Sequence, residues 1–244
     1  MAIRKRIGLI VPSTNTTVEP DFRMAAPRDV TLHSHRMWMD EATTTDIVDR
    51  MNSDVEQAAR YLATASVDLI VYACTGGSFY KGRGYDRELL ASIEAASGLP
   101  AAATAPAAAD ALAHLGVKTI SVTSPYGDWR DERLKDYYTE CGFDILNVDG
   151  EPVASATGNS GICDQPPESV LEFSTKACRP EAEALFCSCT AWRSMEAAAE
   201  LERRLSRPVV TSNQATVWAA FKLLDIEPRP GFGSLIDSLA KAAV

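Results

Sequence analysis

The chain has 244 residues, 46% of them hydrophobic and 23% charged, enough to bury one or two cores, and two domains are expected. A net charge of −9, with lysines and arginines scattered rather than clustered, argues against nucleic acid as a partner, and no apolar window approaches a membrane span. The six cysteines include no CxxC pair, and the short apolar run Ile7 to Val11 is no signal peptide, so reduced thiols, a cytoplasmic location and no structural zinc are expected.

Short apolar runs alternate with helical patterns from one end to the other. Strands are predicted at Ile7 to Val11, Val30 to His35, Leu69 to Ala73 and Ala101 to Thr104, with helices at Ile47 to Ala65 and Arg87 to Ala96 between them. Pro106 to Leu115 is a helix, and strands follow at Thr119 to Val122, Asp144 to Val148, Ala184 to Ser188 and Val209 to Thr211. Helices at Trp129 to Cys141, Pro167 to Ala177, Met195 to Leu205, Asn213 to Leu223 and Gly233 to Ala243 complete the order. This is the alternation of an α/β protein with parallel sheets covered by helices.

The order repeats once. Ile7-Gly8-Leu9-Ile10-Val11-Pro12-Ser13 matches Lys118-Thr119-Ile120-Ser121-Val122-Thr123-Ser124, and Asp68 to Thr75 matches Glu183 to Thr190, each ending in Cys-Thr. Leu99-Pro100 and Arg207-Pro208 precede equivalent strands. Two pseudo-symmetric α/β halves are therefore expected, residues 1–105 carrying Cys74 and residues 106–244 carrying Cys189, with the last helix packing back across the boundary.

In parallel sheets ligands lie beyond the carboxyl ends of the strands. Those ends hold Ser13 and Asn15, Cys74 and Thr75, Ser124 and Tyr126, Cys189 and Thr190, and Ser212 and Asn213. Free backbone N–H groups after each Cys-Thr pair can hold a carboxylate and lower a thiol pKa, and Gly76 and Gly77 permit close approach of a ligand. Most free cysteines are small buried hydrophobes, which suffices for Cys141, Cys163 and Cys178. The matched contexts of Cys74 and Cys189 set them apart as a facing pair of thiols. Cys187, two residues earlier, reads as packing on the same sheet face, with a share in the acid–base work as the alternative.

Ser13 to Thr17 reads either as a donor-rich binding loop or as a helix cap. Ala156 to Gly161, with Asn159, reads as a flexible polar loop that either binds or merely connects. His33 and His35 share a strand face without a third metal ligand nearby, so packing or surface roles are expected. No P-loop, nucleophile elbow or GxGxxG follows a strand, and no cofactor is expected.

Gly8-Leu9-Ile10-Val11-Pro12-Ser13-Thr14-Asn15-Thr16-Thr17 with Glu19 resembles the opening of maleate cis-trans isomerases. His33 to Met37, Tyr72-Ala73-Cys74-Thr75, Ser188-Cys189-Thr190 and Ser212 to Thr216 extend that likeness over nearly the whole chain. The wider aspartate/glutamate racemase superfamily also holds arylmalonate decarboxylases, which Gly76 to Gly82 and Arg229 to Gly233 resemble more closely. Those decarboxylases generally keep only the second-half cysteine. The resemblance implies a cofactor-independent isomerase of maleate or a close dicarboxylate, in which Cys74 adds to the alkene and Cys189 serves as acid or base; a racemase or decarboxylase of another small acid, or a noncatalytic carboxylate-binding protein on the same fold, are the alternatives. It further implies substrate contacts from Ser13, Asn15, Tyr126 and Asn159 and from backbone donors at Thr75, Gly76, Thr190 and Ala191. A homo-oligomer is expected.

Overall fold

The computed structural model describes residues 5–127 and 129–240. The first four strands are β1 (Lys5–Pro12), β2 (Val30–Met37), β3 (Leu69–Tyr72) and β4 (Ala101–Ala103), paired in parallel in the order β2-β1-β3-β4. The second four are β5 (Thr119–Ser124), β6 (Asp144–Gly150), β7 (Ala184–Cys187) and β8 (Val209–Thr211), in the equivalent order β6-β5-β7-β8. The α/β fold with two parallel sheets therefore stands as the apolar runs predict. All eight predicted strands are present.

Helices cover the sheets because the central strands are apolar on both faces. Leu69 and Val71 of β3 point into a core shared with the second sheet, whereas Ile70 and Tyr72 point to a separate cluster. That cluster is built by α2 (Thr45–Asn52), α3 (Val55–Thr64) and α5 (Tyr85–Ser97), while α1 (Val18–Ala25) and α6 (Thr104–His114) pack on the shared core. The single helix expected from Ile47 to Ala65 is thus two. Asn52-Ser53-Asp54 interrupts it, since the Ser53 hydroxyl donates to Arg50 O at 2.6 Å and Asn52 reaches sideways to other elements.

Four short helices have no counterpart among the predicted elements: α1, α4 (Thr75–Phe79), α8 (Pro152–Ala156) and α9 (Gly158–Asp164), the last two taking the place of the polar loop expected at Ala156 to Gly161. In the second half α7 (Trp129–Glu140), α10 (Pro167–Ala177) and α11 (Ala198–Leu205) follow the expected order. The helix expected at Met195 begins only at Ala198, and that expected from Gly233 is the single turn α13 (Ser234–Asp237), its last residues lying outside those described. Helix α12 (Ser212–Leu224), fixed by a capping box between Thr211 and Gln214, packs on α6 and α1. Phe79 and Tyr80 are buried in the core, and Trp38 is exposed beneath Arg50.

Candidate active site

The carboxyl ends of β1, β3, β5 and β7 open onto one cavity of about 50 Å³. Cys74, Thr75, Gly76, Asn15, Tyr126, Asn159, Cys189, Thr190 and Ala191 all line it. Its volume is far below the roughly 300–1,000 Å³ of sites for drug-sized ligands or nucleotides, and suits a molecule of a few heavy atoms.

Cys74 leaves β3 in extended conformation and caps α4, where its thiol accepts the Gly77 N–H at 3.4 Å. Cys189 follows β7 after one residue, at φ 108°, a region that favours glycine. Its own N–H donates to the Ser212 hydroxyl at 2.9 Å, and the Ala191 N–H points to its sulfur. Each thiol thus receives a main-chain N–H from a residue just downstream.

Those N–H groups do not suffice to make thiolates. Burial pushes the Cys74 thiol up to about 11, against the lowering effect of Gly77, and the neighbouring Cys189 adds to the rise. Burial also raises Cys189, opposed by the Ala191 N–H, the Tyr126 hydroxyl and the Arg130 charge. The expectation of lowered thiol pKa values is corrected here: an apolar wall including Met39, Val48 and Met51 outweighs the local dipoles.

Several predicted residues serve the joint between the halves. Asn15 accepts the Thr17 and Val18 N–H groups through Oδ1, capping α1, and donates through Nδ2 to the Thr190 hydroxyl at 3.0 Å. The Thr190 hydroxyl donates onward to Ala73 O, and the Thr75 hydroxyl donates to Ser212 at 2.9 Å. The helix-cap reading of the Ser13 to Thr17 segment therefore applies to Asn15, which also lines the cavity. Asn159 donates to Asp40 O at 2.6 Å and to the Thr43 hydroxyl, tying α9 to the segment before α2.

Ser13 is the exception. Its hydroxyl is engaged by the Met39 main chain, accepting from N at 2.9 Å, and it does not line the cavity. Cys187 is also distant in role: fully buried on the core side, it meets the Thr123 and Ser174 hydroxyls, since the backbone turn at Cys189 breaks the alternation. Gly76 and Gly77 both line the cavity; a Cβ at Gly77 would lie 2.0 Å from the Tyr72 hydroxyl, whereas one at Gly76 would meet open space. Trp129 and Arg130, both on the cavity wall, carried no recognised motif; their place at the start of the helix after β5 was the available signal. His33 Nε2 meets the Thr31 hydroxyl and His35 packs on Tyr61, and no group of three or more His, Cys, Asp or Glu among the described residues is arranged to hold a metal.

Two doubly covered parallel sheets with a cysteine at equivalent strand ends define the aspartate/glutamate racemase type of enzyme. The chain belongs to the arylmalonate decarboxylase family, whose model matches residues 7–236. It is an enzyme of isomerase type within that family: maleate isomerase of Pseudomonas putida is 29% identical, covering 95% of this chain and 96% of the relative. Arylmalonate decarboxylase of Bordetella bronchiseptica is 27% identical over 95% of this chain and 96% of its own length. A solved Pseudomonas putida maleate isomerase variant with maleate has a TM-score of 0.87 at 27% identity, covering 95% of this chain and 97% of that one. Among the described residues, no helix is long and apolar enough to cross a membrane.

Proposed function

We propose that the chain is a cofactor-independent cis-trans isomerase converting maleate, or a close dicarboxylate, to its trans isomer. The observation that carries this reading is the pair Cys74 and Cys189, one from each half, lining a single small cavity with a main-chain N–H directed at each sulfur. In this reading residues 1–105 contribute the first thiol and residues 106–244 the second.

Cys74, having released its proton to solvent, adds to one alkene carbon, and the displaced electron pair moves onto the neighbouring carbon and its carboxylate. Cys189 protonates that carbon, leaving a saturated thioether whose central C–C bond rotates. Cys189 then takes back a proton from the same carbon, the double bond re-forms in the trans geometry and the Cys74–carbon bond breaks. Tyr126, Asn15, Asn159 and the N–H groups of Thr75, Gly76, Thr190 and Ala191 bound the space in which the carboxylates lie. Mutual repulsion keeps one thiol protonated when the other ionises, which suits a nucleophile working beside an acid.

Incubation of the reduced protein with maleate, without added cofactor, should yield fumarate by NMR. Cys74→Ala and Cys189→Ala should each lower the rate by at least about a thousandfold; no turnover by the unsubstituted protein would remove the reading. The family match to a decarboxylase supports a second reading, racemisation or decarboxylation of another small acid, in which the same site moves a proton at the carbon beside a carbonyl. Deuterium uptake from heavy water into malonates or amino acids, without fumarate formation, would select it.

A further inference from the structure

The cavity wall carries one formal charge, and it does not come from any sequence motif. Among the described residues lining the site, Arg130 alone is charged at neutral pH, both thiols holding their protons there. Its guanidinium carbon lies 4.4 Å from the centre of the Tyr126 ring. A guanidinium stacked on a ring keeps its in-plane donors directed past the ring edge, and five N–H groups let it serve more than one acceptor. Burial raises the Cys74, Cys189 and Tyr126 pKa values, and the Arg130 charge opposes that rise at all three, so it faces the shared space rather than one sulfur.

The donors nearby, Arg130 included, are partly committed, and a guanidinium has five N–H groups to divide among acceptors. Asn15 spends a hydrogen on Thr190, and Asn159 donates to Asp40 O and to Thr43. A charge-assisted pair with a carboxylate is roughly twice as strong as a neutral hydrogen bond, and bidentate geometry adds direction.

We propose that Arg130 is the specificity-determining residue of this cavity, pairing with a substrate carboxylate on the Tyr126 side and selecting small anions over neutral molecules of the same size. The inference rests on the reading that substrate meets the two thiols here. It assigns the cavity to dianionic substrates, one carboxylate on the guanidinium and the other on the main-chain donors of the opposite half.

Iodoacetate and iodoacetamide alkylate thiols by the same displacement and differ in charge. Their relative rates at Cys74 and Cys189, read by peptide mass mapping, report the preference without requiring turnover. The unsubstituted protein should favour iodoacetate by about tenfold relative to a free thiol. Arg130→Gln should erase that ratio and raise KM for maleate by a similar factor, while Arg130→Lys keeps part of both. An unchanged ratio in Arg130→Gln would overturn the proposal even if fumarate is formed. A ratio that depends on Arg130 without fumarate formation would uphold it and discard maleate as the substrate.

Discussion

A nucleophilic thiol is usually pictured with a depressed pKa, but Cys74 is pushed the other way, to about 11, by the apolar surroundings that exclude water from the site. Iodoacetamide labelling of Cys74 should therefore still be accelerating at about pH 10; a plateau reached near neutrality would show that the Gly77 N–H and the Arg130 charge outweigh burial. Most of the cavity was legible because strand ends can be read from apolar runs, and Cys74, Thr75, Cys189 and Thr190 all sit two or three positions past such an end. Ser13 has the same place in the pattern yet turns to Met39, a choice made by side-chain rotation that no spacing records. Arg130 escaped notice for the opposite reason: an arginine on an exposed-looking helix start reads as solvated until Tyr126 is seen beneath it.

Helix α4 shows how a five-residue element holds a thiol in place. Its Gly77 peptide is gripped at both ends, the N–H by Cys74 and the carbonyl by Asn52 Nδ2 at 3.1 Å. Asn52 in turn accepts from the Tyr72 hydroxyl at 2.5 Å and donates to Tyr85. Gly77→Ala would force its Cβ against that hydroxyl, so a loss of about 1–3 kcal/mol in urea unfolding is expected, together with altered Cys74 labelling. Unaltered stability would mean that Tyr72 has room to move aside. The strands were easy to anticipate because β-branched and alanine-rich runs bounded by turns leave few other readings. The split between α2 and α3 was not, because Asn52, Ser53 and Asp54 fit a helix face as well as a break; what decides is that Asn52 finds Gly77 and Tyr85, partners 25 and 33 positions away.

The two sheets and their helices are joined by a buried polar seam as well as by apolar contact. Thr17 donates to Ala191 O, and Asn213 of α12 donates to Thr190 O and to Asp21 of α1 at 2.6 Å. Burial lifts the Asp21 carboxyl from its ordinary range to about 7, partly offset by Asn213. With the folded value above the unfolded one, the stabilising contribution is complete below the unfolded value of about 3.8 and disappears as pH rises through about 7. Asp21→Asn should thus be more stable than the parent at about pH 8 by up to about 4 kcal/mol and near parity at about pH 4, by urea unfolding across pH. A gain that is the same at both pH values would show that the ionised carboxyl is not what costs stability.

Ser212 receives the N–H of Cys189 and the hydroxyl of Thr75, so the last long helix is part of the framework that holds both thiols. During synthesis β1 to β4 leave the ribosome before β5 to β8 do. The nascent protein therefore carries Cys74 for a hundred residues or so of translation without its counterpart, and even Cys189 emerges before its anchor. Chemical competence arrives late and all at once, so truncated chains should bear accessible cysteines but no paired chemistry.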